Sequence, residues 1–267
     1  MQKVDWRVED TLFPVMEVPA TAVNSEKGGF AIEGNTGYKF IIREDTGDII
    51  SCVTNDYKLV KNESLFKSTN KIAKKLGGTL VEARHFNNKR TNYKWRFNQP
   101  IKLSKGEEHK PEIIIRNSYD GSTEVSVMAG AFRLVCSNGM IVGTVLGNTS
   151  NRHSVFNNSL NNIEDMINES VKRITEVLDE GYTTMSGNKC SQKHIMGLLK
   201  IFPVQSNEQL TQYLIANKPK TYWDLYNAGT WLLSHAMNRK AWNTTKIENN
   251  LFNTVSNWAK SWEVGIG

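Results

Sequence analysis

The chain has 267 residues, of which 39% are hydrophobic and 22% are charged, with a formal net charge of +6 and a pI near 9.1. This length and composition exclude a disulfide-stapled miniprotein and a disordered polyelectrolyte, and they predict a chain with its own hydrophobic core. A modest positive charge suits a polyanionic partner, so its distribution along the chain matters more than its total.

The N-terminal half is predicted to be rich in β-strands. Residues 1–37 form an N-terminal segment, and residues 38–150 form a β-rich core domain whose first hairpin turns at Gly47. A helix follows, with Asn62 as its N-cap and with Gly77 and Gly78 as its stop.

Four further strands are predicted after this helix, and the last two flank Asp120-Gly121, a strong hairpin signal. The strands cover residues 78–86, 92–103, 112–119 and 123–136. The resulting order is ββαββββ, which predicts an antiparallel sheet with a helix packed on it, followed by a C-terminal helical region, in an α+β fold.

Residues 151–267 are predicted to be helical and to pack on the core. Apolar residues recur at helical spacing from Ile163 to Leu178, and Gly181 is expected to end that helix. The spacing predicts further helices over residues 191–202, 206–217, 221–239 and 245–262.

Motifs that carry catalysis or bind a metal or cofactor are absent from the sequence. It contains no P-loop, no GxGxxG after a strand, no HExxH and no GxSxG. Cys190 and His194 would share a helix face, but two ligands are fewer than a zinc site requires. We therefore expect a protein that is not an enzyme and that needs no cofactor and no metal.

The cysteine pattern and the hydropathy indicate the compartment. Cys52, Cys136 and Cys190 lie far apart without a CxxC pair, which is typical of a reducing compartment. The first residues lack an apolar signal-peptide core, and no apolar run of about 18 residues occurs. We expect a cytoplasmic protein without a membrane partner.

The clearest functional signal is a stretch of 22 residues that holds seven cations and no acidic residue: Arg84, Lys89, Arg90, Lys94, Arg96, Lys102 and Lys105. Strand geometry sends Tyr93, Trp95 and Phe97 to one face and Lys94 and Arg96 to the other. One interpretation is a core face backed by solvated cations. The other is a positive strip that follows phosphates, with an aromatic ring free to stack on bases. The absence of acidic residues favours the second.

Two other groups of residues bear on binding. The predicted helix has a basic face with Lys67, Lys71, Lys74 and Lys75, and Arg133 is a further candidate phosphate contact. The C-terminal helices concentrate aromatic residues, which at helical spacing are typical of a core or a subunit interface: Tyr222, Trp223, Tyr226, Trp231, Trp242, Trp258 and Trp262.

Three blocks carry a family resemblance: NDYKLVKNESLF, IIIRNSYDGSTEVSVMAGAFRLVCSNGMIVG and TYWDLYNAGTWLLSH. They resemble the phage and plasmid family catalogued as domain of unknown function 932, in which a histidine is more usual at the position of Tyr119. The resemblance implies a gene of a bacterial virus or mobile element that acts on or near replicating DNA in the host cytoplasm. Such elements often encode annealing proteins of the RecT, Red-beta and Erf type, whose core of a small sheet with a packed helix is similar to the predicted order.

The leading hypothesis is a protein that binds single-stranded DNA and promotes annealing and recombination without a nucleotide cofactor, as a homo-oligomeric ring or filament. One alternative is an inhibitor of host defence or replication that binds a host protein through its aromatic C-terminal helices. A second alternative is a DNA-processing enzyme whose site is assembled only by folding.

Overall fold

The computed structural model describes residues 7–24, 31–103, 108–123, 125–133, 139–140, 163–236 and 244–263. It confirms the α+β class, with antiparallel strands in the N-terminal half and helices in the C-terminal half.

The strands form two sheets rather than one. Sheet A has the order β1 (Val15–Asn24), β2 (Ala31–Arg43), β3 (Ile49–Thr54). Sheet B has the order β4 (Gly78–Phe86), β5 (Arg90–Phe97), β7 (Glu108–Ser118), β8 (Ser126–Arg133), β9 (Gly139–Met140), and β6 (Ile101–Lys102) pairs with β7.

Strand β1 lies in the N-terminal segment, for which the sequence predicted no strand. It contains Pro19, which lacks the amide hydrogen for a ladder bond, and the register shifts directly after it. Proline is tolerated here because β1 is an edge strand that pairs only with β2 among the described strands. The order ahead of the first helix is therefore three strands instead of the predicted two.

Helix α1 (Asn62–Lys75) packs on one face of sheet B along strand β5. The Phe66 ring lies 5.0 Å from the Tyr93 ring and 6.2 Å from the Trp95 ring, measured between centroids. Gly77 ends the helix in the left-handed region, with φ of 78°, as predicted. The face of sheet B that contacts α1 is called the inner face below.

The expectation that Asn62 is the N-cap is wrong. Lys61 occupies the N-cap position and makes no side-chain capping bond. The Asn62 side chain is instead buried inside the fold, where its amide donates to Thr91 Oγ1 at 2.8 Å and to the Thr11 carbonyl at 3.0 Å. Asn62 thus ties α1 to β5 and to the short 3₁₀ turn Val8–Thr11.

The C-terminal half contains the predicted helices: α2 (Ile163–Gly187), α3 (Gln192–Leu198), α4 (Asn207–Asn217), α5 (Tyr222–Trp231) and α6 (Thr244–Glu263). Gly181 does not end α2, contrary to the expectation. A Cβ atom there would lie 2.7 Å from the Phe252 ring, so this glycine permits close packing of α2 against α6. The helix continues through it for six more residues.

One continuous hydrophobic core joins the inner face of sheet B to the helices, with Trp95, Ile174 and Leu251 among its buried members. A smaller cluster fills the space between sheet A and Tyr119. The division into residues 1–37, 38–150 and 151–267 stays a prediction. Within the described ranges, no helix combines the length and the apolar character needed to cross a lipid bilayer.

Candidate nucleic-acid interface

Four of the predicted cations lie on the face of sheet B opposite α1. Because Tyr93 and Trp95 point toward α1, the alternate residues of β5 point to the other side. Cross-strand pairing places Arg84 beside Asn92 on that same side. We call Arg84, Arg90, Lys94 and Arg96 together the strand face.

Carboxylates from neighbouring strands and turns compensate the strand face. Glu112 of β7 is only 2% exposed, and its Oε1 accepts from Arg96 Nη2 at 2.6 Å and from Nε at 2.9 Å. Lys94 Nζ lies 3.8 Å from the other oxygen of the same carboxylate. Glu82 Oε1 lies 3.5 Å from Arg84 Nε, and Asp120 Oδ2 lies 3.7 Å from Arg90 Nε, which also donates to Ser122 Oγ. The stretch of sequence without acidic residues is therefore surrounded by carboxylates from other parts of the fold.

The aromatic residues of β5 are core residues. Tyr93 is 0% exposed, Trp95 is 1% exposed and Phe97 is 5% exposed. A base cannot stack on a ring that is enclosed by protein, so this conformation excludes Tyr93 and Trp95 as stacking platforms. Phe97 is buried as well, although it is one of the residues that line a pocket beside the end of α1.

The second cationic surface is the outward side of α1. Lys67, Lys71, Lys74 and Lys75 are all exposed and recur at i, i+4, i+7 and i+8, which keeps them on one side of the helix. We call these four residues the lysine stripe. Among the residues that the structure describes, no carboxylate oxygen lies within 4.0 Å of Lys67, Lys71 or Lys74.

Sheet B separates the two surfaces, so the fold does not unite the helix lysines with the strand cations. Lys89 is exposed in the turn between β4 and β5. Lys102 on β6 is highly exposed, and its Nζ lies 3.9 Å from Glu108 Oε1. Arg133 is the last residue of β8, opposite His109 in the register, and Lys105 lies outside the described residues.

A buried polar network that sequence reasoning missed anchors the N-terminal end of α1. The Asn117 amide donates to Asn62 Oδ1 and to the Val60 carbonyl, both at 2.8 Å. The Asn62 backbone N–H donates to Tyr119 Oη at 2.9 Å. Burial raises the pKa of the Tyr119 phenol well above its usual range, which keeps the phenol protonated. The only sign of this network in the sequence was that its residues lie in two of the three blocks that carry the family resemblance.

The C-terminal aromatic residues of α5 belong mainly to the core. Tyr222, Trp223 and Tyr226 are each less than 5% exposed. This burial removes them from the partner surface that the host-inhibitor alternative required. Trp242 lies outside the described residues, and the side chain of Trp262 is not described.

Cys190 lies before helix α3, which begins at Gln192, so the expectation that Cys190 and His194 share a helix face is wrong, and both have protein partners. Cys190 Sγ lies 3.4 Å from the Pro219 carbonyl, and His194 Nδ1 lies 2.8 Å from Ser191 Oγ and 2.9 Å from Tyr222 Oη. Burial lowers the pKa of His194 and raises the pKa of the Cys190 thiol. Within the described ranges, no three His, Cys, Asp or Glu residues are grouped to hold a metal ion.

Comparison with known proteins identifies the family of the chain. No solved structure gives a significant match. The family model described as "Domain of unknown function (DUF932)" matches residues 49–258, a span that runs from strand β3 into helix α6 and includes the lysine stripe, the strand face and the buried network. The chain therefore belongs to the DUF932 family.

Proposed function

We propose that this protein binds single-stranded DNA through the lysine stripe of α1 and that it promotes annealing of complementary strands. The observation that carries the proposal is the exposure of Lys67, Lys71 and Lys74 without a carboxylate within 4.0 Å in the described part of the chain. Exposed cations without partners attract a polyanion, whereas cations already paired with buried carboxylates gain less from a phosphate.

Contacts with the core hold the helix that carries the lysine stripe in place, which suits a phosphate-binding surface. Helix α1 is held by Phe66 against two core rings and by Asn62 in the buried network, so its lysines project from a fixed base. A helix rises about 1.5 Å per residue, which places Lys67 and Lys71 about 6 Å apart along the axis. The stripe is therefore a straight row of positive charge rather than a scattered set.

A row of lysines contacts the phosphate backbone and makes no demand on the bases. A strand held in this way keeps most of its base edges free to pair with a second strand, which is the requirement for annealing without a nucleotide cofactor. We propose that several copies of the chain, as a ring or filament, align strands in this way in the cytoplasm of a bacterial host. The family span, which runs from β3 into α6, supports treating the sheet and helices as one functional unit.

Replacing Lys67, Lys71 and Lys74 together tests the site. The variant Lys67→Gln/Lys71→Gln/Lys74→Gln should bind a fluorescent oligothymidylate tenfold to a hundredfold more weakly, because each surface ion pair contributes up to about 1 kcal/mol. Its slope of log affinity against log salt should be shallower by about 2, at about 0.7 for each lost phosphate contact. Fluorescence anisotropy across a salt series measures both quantities.

The matched control changes three exposed lysines of the helical region, as Lys193→Gln/Lys200→Gln/Lys220→Gln. It removes the same charge and should leave the affinity and the salt slope near those of the wild type. An equal loss in both variants would show general electrostatic attraction, and no loss in either would contradict the proposed site.

Annealing and assembly need separate measurements. Mixing of two complementary labelled strands should be accelerated by the wild type without ATP, and electron microscopy should show rings or filaments that grow with DNA. A compact monomer in the presence of DNA would contradict the oligomer. Metal-dependent turnover of DNA by substoichiometric protein would instead support the enzyme alternative.

A further inference from the structure

A pocket of about 390 Å³ opens at the C-terminal end of α1, where the lysine stripe ends. Its apolar walls include Leu76 of the helix end, Phe97 of β5, Ile101 of β6 and Val171 of α2. This volume lies at the lower end of the range for small-ligand sites. The pocket therefore suits a small group rather than a large molecule.

Two side-chain amides add polar groups to this pocket. Gln99 and Asn168 both line it and are both exposed. Neither amide makes a hydrogen bond within the part of the chain that the structure describes. A side-chain amide offers a donor and an acceptor side by side, a pattern that matches the edge of a nucleobase.

The charge around the pocket indicates a ligand that carries phosphates. Lys74 and Lys75 directly precede Leu76, so along the helix axis the lysine stripe ends within about 3 Å of the pocket wall, while Leu76 itself lies on the side of the helix that packs against the core. Lys102 also lines the pocket, and its side chain is 75% exposed, with its Nζ 3.9 Å from Glu108 Oε1. Apolar walls, free amides and a cationic approach are the combination by which proteins hold a splayed base beside its backbone.

We propose that this pocket takes one unstacked nucleobase of the strand whose phosphates the lysine stripe binds. The inference rests on the proposed function and deepens it. Leu76 and Val171, which are only partly buried, supply apolar walls for the base, while Gln99 and Asn168 contact the edge of the base. One captured base per subunit fixes the position of the strand on the protein and leaves the neighbouring bases free to pair.

The test blocks the pocket without disturbing the core. Asn168→Trp places a large ring at an exposed wall position, and Asn253→Trp makes the same change at an exposed position of α6 as the control. Each protein is titrated with a fluorescent oligothymidylate and with an abasic oligonucleotide of equal length, which keeps the phosphates and lacks the bases. Asn168→Trp should weaken binding of the base-containing strand about tenfold and leave the abasic strand unaffected.

The possible results separate the pocket from the lysine stripe. If Asn168→Trp binds the base-containing strand as tightly as the wild type does, or weakens both strands equally, the base pocket is wrong and the proposed function stands. If the wild type binds neither strand at low salt, the proposed function fails and the pocket fails with it. Unchanged behaviour of Asn253→Trp confirms that the change at Asn168 acts locally.

Discussion

On the strand face, Arg96 and Lys94 share the carboxylate of Glu112, which is 2% exposed, whereas on α1 the residues Lys67 and Lys71 have no carboxylate within 4.0 Å in the described part of the chain. Both groups look alike in the sequence as local clusters of basic residues. In the structure, one group neutralises acid that the fold has buried, and the other projects into solvent. The same residue types therefore have structural roles on one side of sheet B and are available for binding on the other.

The difference arises from which carboxylates the neighbouring strands bring. Strand β5 lies between β4 and β7, and these strands contribute Glu82 and Glu112. None of the described strands lies beside the outward side of α1, and the one acidic residue of this helix, Glu63, sits in its first turn. Charge clusters on a central strand need to be interpreted together with the adjacent strands, whereas those on an exposed helix face can be interpreted more directly.

The largest effect is expected from Arg96→Ala. The change removes the closest partner of a buried carboxylate, and breaking a fully buried pair in this way costs about 3–5 kcal/mol. Because Arg96 is 28% exposed and Lys94 remains nearby, we expect a loss of about 2–3 kcal/mol in the free energy of unfolding. Urea denaturation measures it.

The double variant Arg96→Met/Glu112→Leu is the control for this prediction. It removes both charges of the pair and should recover part of the lost stability, because replacing a buried pair with apolar residues is often neutral, whereas Lys94 still loses its contact with Glu112. If Arg96→Ala alone is as stable as the wild type, the strand face is not compensated by Glu112 and the comparison of the two surfaces loses its basis.

A smaller loss is expected from Asn62→Ala. This change leaves the Thr11 carbonyl, Thr91 Oγ1 and the Asn117 amide each without one hydrogen-bond partner inside the fold. Buried groups without partners cost about 1–3 kcal/mol, so we expect a loss of about 2 kcal/mol in urea denaturation. Asn98→Ala, at an exposed position after β5, is the matched control and should change little. A neutral Asn62→Ala would show that the network does not anchor α1.

The local features of the fold could be predicted from the sequence because they depend on neighbours in the chain. The alternation in residues 92–97 predicted which side chains share a face, Asp120-Gly121 predicted the β7–β8 hairpin, and Gly77 predicted the end of α1. Strand β1 was missed because Pro19 is a strand breaker by propensity, and only its position at a sheet edge makes it tolerable.

The site was harder to predict because its electrostatics depend on contacts between distant residues. Glu112 lies 16 residues from Arg96 in the chain and pairs with it only because β7 is the neighbour of β5. Glu82 lies just outside the acid-free window and reaches Arg84 on the same strand. Asn62 is a residue type that favours N-cap positions, which is why the sequence predicted a cap there. In the structure its side chain instead forms tertiary hydrogen bonds with Thr91 and Asn117.

The smallest effect on stability is expected from Lys71→Ala. Its side chain is exposed and makes no ion pair among the described residues, and alanine is at least as good a helix former as lysine. The free energy of unfolding should therefore change by less than about 0.5 kcal/mol, as for most surface substitutions. Affinity for an oligonucleotide should nevertheless fall several-fold, because one phosphate contact is lost. If Lys71→Ala unfolds more easily but binds the oligonucleotide normally, the roles proposed for the two surfaces are wrong. Lys71 would then stabilise the fold, which is the role expected of Arg96.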